Sequence, residues 1–185
     1  AGFAIYAGLA LWQGRGWLGA QPKNPSQLFY VLATLALCVH GFSVYKLIDT
    51  ANGFNFEFFR VSSLIFWVIN ITVLISSIKL PVQSLLPPLF AMTALAVLCS
   101  VLVEGSYTPH ALTYPIAIHI LLSILAYSIL TIAALQAVAL SAQNHLLKTR
   151  RLQTAMALLP PLQTMESLLF EMLWAGTILL ALSIV

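Results

Sequence analysis

One apolar stretch, Thr108 to Ser141, opens with prolines and encloses a histidine. Proline fixes its own φ and lacks an N–H, so Pro115 suits a first helical turn, where that donor would be unpaired anyway. A helix is expected to begin there. Positions three, four and seven apart share a helical face, which places His119, Ser123, Ala126, Tyr127, Leu130, Ala137 and Ser141 together. That stripe is mostly polar or small. The opposite side, with Leu121, Ile124, Leu125 and Ile132, suits lipid.

Similar runs recur along the chain, and composition gives them a class. Hydrophobic residues make up 61% and charged residues 7%, where soluble domains carry about 25% charged. A spanning helix needs roughly 20 apolar residues, and every backbone polar group in hydrocarbon must be satisfied internally. Runs that are continuous, not alternating, predict an all-α polytopic transmembrane helix bundle embedded in the lipid bilayer, and no barrel. The net charge of +3 then reads as loop charge, with no nucleic-acid partner implied. Cys38 and Cys99 lie inside apolar segments without a CxxC or CxxCH pattern, and read as packing residues.

The whole chain, 1–185, is expected to form a single transmembrane domain of about six spans: 1–12, 27–48, 60–77, 85–103, 115–141 and 165–185. The first run is too short to cross and the last ends without a polar flank, so the domain is expected to be truncated at both ends. Turn formers and charge mark Gln13–Ser26 and Gln143–Gln163 as loops. Asp49–Phe59 is a polar and aromatic loop whose Phe54, Phe56, Phe58 and Phe59 could rest on the bilayer or shelter a ligand. On the second span His40 shares a face with Ala33, Ala36 and Ser43, small residues that let membrane helices approach. On the third, Ser63, Asn70 and Ser77 recur every seven residues.

Cytoplasmic loops are enriched in Lys and Arg. With alternating spans, Arg15, Lys23, Lys79, Lys148, Arg150 and Arg151 fall on one side, and Asp49, Glu57 and Glu104 on the other with Lys46 and Arg60. Both chain ends are therefore placed outside. His119 then lies roughly 6 Å and His40 roughly 12 Å below the outer surface, at 1.5 Å rise per residue. An intramembrane ionisable side chain is costly and marks a candidate functional site.

Imidazole is an axial ligand of haem iron, and a bundle with small-residue faces accepts a flat macrocycle. A haem b held by His40 and His119, together or separately, fits these residue types, with Tyr127 as polar company along the His119 face. The alternative is that each histidine is hydrogen-bonded to a neighbouring helix. His110, in the outer loop with Tyr107 and Tyr114, either meets a haem edge or is a solvated loop residue. Glu166 and Glu171 read as interfacial, with Glu171, about a turn deeper, reaching back to the interface or capping against Arg150 and Arg151. A path for ions or protons through Glu171, Asn70 and His40 would need those faces to converge.

The segment Pro109–Tyr127 (PHALTYPIAIHILLSILAY), with Ile132–Leu140 (IAALQAVAL), resembles the cytochrome c assembly superfamily that includes CcmC, CcsA and the HemX-like proteins. Leu158–Phe170 (LLPPLQTMESLLF) is similar to its LPPLxxxE element, and Gly176–Leu180 to the span that follows. Resemblance covers the chain, most specifically Pro109 to Leu180, and points to the YpjD-type branch of bacterial inner-membrane proteins. It implies a multi-pass protein of the inner (cytoplasmic) membrane in which His119 is an axial haem ligand at the periplasmic face and His40 the candidate for a second, deeper haem. The tryptophan-rich WGxxWxWD segment of the superfamily is not among these residues. The implied role is haem binding or transfer alongside other membrane proteins of cytochrome c maturation, with no bond-making by this chain. The alternative is a non-haem accessory or scaffold subunit of a membrane complex, such as a transporter or a regulator of tetrapyrrole synthesis.

Overall fold

A computed structural model describes residues 2–18, 26–51, 53–77, 85–103, 113–148 and 161–184, with the backbone alone for 15–18 and 146–147. Among these residues the chain forms six helices: α1 (Gly2–Leu18), α2 (Gln27–Ile48), α3 (Phe58–Ser76), α4 (Leu86–Leu102), α5 (Tyr114–Lys148) and α6 (Leu162–Ile184). Four of them, α2, α3, α5 and α6, are long and apolar enough to cross a membrane, and α4 is apolar but shorter. The molecule is an all-α, multi-pass membrane bundle.

Two helices outrun their expected ends. α1 continues from Trp12 to Leu18, and α5 from Ser141 to Lys148. The added residues include Gln13, Arg15, Gln143, Asn144 and Lys148 but no proline, and polarity marks where a helix leaves the hydrocarbon without ending its hydrogen-bond ladder. Helix thus takes in residues 13–18 of the expected Gln13–Ser26 loop, and 143–148 and 162–163 of the expected Gln143–Gln163 loop. At the other end of α5 the helix starts at Tyr114, with Pro115 in its first turn as expected.

α3 packs against α2, α4 and α5; α1 lies on α4 and α2; and α5 pairs with α6. The core gathers Tyr6 and Leu9 of α1, Phe29 and Ala36 of α2, Ile69 and Val73 of α3, Leu89 and Phe90 of α4, and Ile132 of α5. The heptad face of α3 is buried as its pattern suggested, with Ser63, Asn70 and Ser77 all at most 3% exposed. Asn70 donates through Nδ2 to Thr93 Oγ1 of α4 and to the Phe66 carbonyl.

On α5 the side expected to face lipid divides: Leu121 is exposed, whereas Ile124 and Ile132 are buried and Ser128 reaches the Ile65 carbonyl of α3 at 3.4 Å. α5 is flanked by α3 on one side and α6 on the other, so a single-stripe reading of its sequence could not apply. Cys38, expected as a packing residue, is exposed.

Close approach of α2 and α3 depends on Gly41. A Cβ there would lie 2.8–2.9 Å from the indole of Trp67, whose Nε1 donates to the Leu37 carbonyl at 2.8 Å. Beyond this contact the two helices are joined by a short antiparallel pairing of Asp49–Thr50 with Gly53–Phe54, where Gly53 takes a φ of 117°. Asn55 Oδ1 accepts the Glu57 N–H, and Arg60 donates to the Leu47 carbonyl at 2.6 Å while pairing with Glu57 at 3.2 Å. Arg60 thus ties the end of α2 to the start of α3. The four phenylalanines of this connection divide: Phe54 stacks on Phe56, and Phe58, 75% exposed, projects outward.

Gly41→Val should displace the Trp67 ring and destabilise the bundle by about 1–3 kcal/mol, the usual cost of overpacking. A lower thermal midpoint in detergent and a shifted tryptophan emission would show it. Arg60→Ala should cost about 2–4 kcal/mol because it strands the buried Glu57 carboxylate, and adding Glu57→Ala should recover part of the loss. A double-mutant cycle on the same thermal midpoint measures that coupling.

Candidate functional site

α5 and α6 run antiparallel, and three contacts fix their register. Near one end Gln136 Nε2 donates to the Met165 carbonyl at 3.5 Å. In the middle, Gly176 lies so close to α5 that a Cβ would come within 2.7 Å of the Leu130 side chain. At the far end His119 Nδ1 meets the Ser183 carbonyl at 2.6 Å. Because the partner is a carbonyl oxygen, Nδ1 must carry the hydrogen. In the neutral imidazole this tautomer leaves the lone pair on Nε2.

The Ser183 carbonyl is available because it belongs to the last turn of α6, where helix carbonyls lack an intrahelical donor. The Ser183 hydroxyl turns back to the Leu180 carbonyl at 2.7 Å and leaves the backbone oxygen to His119. The imidazole itself is exposed. It borders an open cleft of about 460 Å³ whose walls include Ile118 and Leu122 of α5 and Leu182 and Ile184 of α6. The arrangement is an aliphatic cleft with one oriented imidazole. A histidine whose second nitrogen is held by a backbone carbonyl is the usual form of a metal-ligating histidine, since that bond fixes tautomer and ring direction.

His40 is placed differently. It is 1% exposed, and both of its nitrogens are occupied: Nε2 with Ser63 Oγ of α3 at 2.9 Å, and Nδ1 with Tyr6 Oη of α1 at 3.3 Å. The Tyr6 ring meets it edge-on at 5.4 Å. One nitrogen donates and the other accepts, so the ring links three helices and leaves no lone pair for a metal. His40 and His119 share no partner and stand among different helices.

Tyr127 is 51% exposed and is not among the residues that border the His119 cleft. Its place two turns along from His119 follows the periodicity, but α6 packs on Leu130 through Gly176 and Tyr127 is left exposed. His110 lies outside the described residues. Among the described residues no three His, Cys, Asp or Glu side chains gather at metal-binding distance. Glu166 and Glu171 are both exposed on α6.

Ser183 and Tyr6 were missed by sequence reasoning. For Ser183 a signal existed, since Gly176 and Ser183 are seven apart and both buried, marking the α6 face that meets α5. The contact itself uses a backbone oxygen, which no residue type announces. Tyr6 sits in a helix whose partners are α2 and α4, and nothing in its local sequence points to His40.

Comparison with known proteins agrees with this architecture. The "Inner membrane protein YpjD" of Escherichia coli (strain K12) is 28% identical over 157 residues, covering 83% of this chain and 59% of the relative. Proteins of the same name from two other Escherichia coli strains match to the same extent. The chain thus spans about three-fifths of the length of the curated relatives it matches. No solved structure matches it. The family model described as "Cytochrome C assembly protein" matches residues 28–185, which takes in α2 through α6 and both histidines. The chain belongs to the cytochrome c assembly protein family.

Proposed function

We propose that this protein binds haem b at the outer end of the α5–α6 pair, with His119 Nε2 as an axial ligand. The observation that carries the reading is the 2.6 Å bond from His119 Nδ1 to the Ser183 carbonyl, which leaves the other nitrogen free at the mouth of an aliphatic cleft. Haem iron supplies an open axial position for which imidazole is a common ligand. Ile118, Leu122, Leu182 and Ile184 offer the apolar surface that a macrocycle would rest on. The Ser183 carbonyl holds the imidazole in one tautomer and strengthens it as a donor. This is one ligand, and among the described residues that border the cleft there is no second imidazole.

His40 we assign to helix packing. A deeper haem would require breaking its bond to Ser63 or to Tyr6, each of which satisfies a buried polar group. The accessory-subunit reading draws on the same observation, since a histidine with two hydroxyl partners stabilises a bundle without any ligand.

The distribution of Lys and Arg favours a periplasmic position for the His119 end. The family and the printed name of its relatives support residence in a bacterial inner membrane, among the other membrane proteins of cytochrome c maturation.

The test is the absorption spectrum of the purified full-length protein titrated with hemin. The wild type should develop a Soret band. His119→Ala should weaken haem binding by at least about tenfold, because loss of a ligand exceeds the 10–100-fold effect typical of outer-shell partners. His40→Ala should keep the band and lower the thermal midpoint. A colourless wild type, or a band unaltered in His119→Ala, would favour the accessory-subunit reading.

A further inference from the structure

α6 is covered on one side only. Of its most apolar stretch 11% is buried, against 28% in each of α2, α3 and α5. Met165, Gly176 and Ser183 form the buried edge. The outward side carries Phe170, Glu171, Trp174 and Ile178, all exposed.

Two of these residues are poorly suited to hydrocarbon. Glu171 lies nine residues into the 23-residue helix, about 13 Å along it at 1.5 Å per residue. Trp174 is one turn further, near the helix midpoint. Neither side chain has a hydrogen bond or ion pair among the described residues. An intramembrane carboxylate is costly and, where it occurs, faces protein or water and finds a partner. Tryptophan belongs to the interfacial belts, and its N–H usually finds an acceptor when removed from water. α5 cannot supply the missing donor. The register of Gln136 with Met165 and Leu130 with Gly176 sets Glu171 level with the stretch around Ile132, which carries no charge.

We infer that the outward face of α6 is an intramembrane docking surface for a further spanning helix that presents a Lys or Arg side chain at the depth of Glu171. The carboxylate selects a basic partner. A shallow cleft of about 220 Å³ between Phe170, Leu173, Trp174 and Thr177 gives a neighbouring side chain a seat one turn away. A second copy meeting this face symmetrically would set Glu171 against Glu171, a like-charge contact in a medium that screens poorly. The curated relatives extend well beyond the matched part, which is 59% of their length, so those proteins have chain available for such a helix.

The full-length protein in nanodiscs, in a Cys38→Ser/Cys99→Ser background, tests this by the oxygen accessibility of a nitroxide. Labels are placed at Ile178→Cys or Ala181→Cys on α6, and at Val138→Cys, 68% exposed on α5, as the lipid-facing control. At 178 and 181 the accessibility should be about half that at 138 or less, as expected of a packed helix seam. Glu171→Lys should raise both to the control value, and Glu171→Gln should raise them less. Equal accessibility at all three sites, or no response to Glu171→Lys, overturns the proposal. Shielding that appears only in discs holding two copies, with dipolar broadening between labels, also overturns it and assigns the face to self-association.

Discussion

Hydrocarbon offers no water to a polar group, and this constraint organises the bundle. A polar side chain buried between the spans must find its partner on a helix, its own or a neighbour's. His40 meets Ser63 and Tyr6, Asn70 meets Thr93, Trp67 meets the Leu37 carbonyl and Gln136 the Met165 carbonyl. Because lipid is as apolar as leucine, burial alone gives such helices little reason to associate. Directional bonds and close packing at Gly41 and Gly176 therefore set which helices meet and in what register. α3 holds three of these links, and it is the helix on which α2, α4 and α5 converge.

The same physics divides the two membrane histidines. His40 lies where three helices meet, and two hydroxyls satisfy it completely. His119 lies at the mouth of a two-helix seam, where the last turn of α6 offers an unpaired carbonyl and, among the described residues, no second partner. An imidazole with one nitrogen fixed and the other open is what the proposed ligand role of His119 rests on. One with both nitrogens bonded acts as structural glue. Residue identity is the same in both places, and the difference lies in what each nitrogen faces.

Much of the architecture was legible in the sequence. Long uncharged runs fixed the class and located the six helices seen among the described residues, and Pro115 marked the start of α5. The heptad of Ser63, Asn70 and Ser77 marked the buried face of α3, and Ala33 and Ala36 the face of α2 around His40. Helix ends were less legible, because Gln13 and Gln143 look like loop residues although nothing in their backbone stops a helix. The outward and inward sides of α5 could not be read either, since it is flanked by both α3 and α6 and its sequence carries two buried faces where one stripe was sought.

The sequence by itself determined that this chain crosses a membrane as helices, that it resembles the cytochrome c assembly proteins, and that His119 and His40 are the imidazoles within its spans. Hydrophobicity, proline and heptad spacing are local properties, so they survive in a one-dimensional reading. Tertiary structure alone decided that His40 is enclosed by Tyr6 and Ser63, that Tyr127 stands apart from the cleft, and that Ser183 aims the His119 ring. Those outcomes depend on which helices lie side by side and on where a backbone carbonyl is left without a donor, and both are settled only when the helices pack.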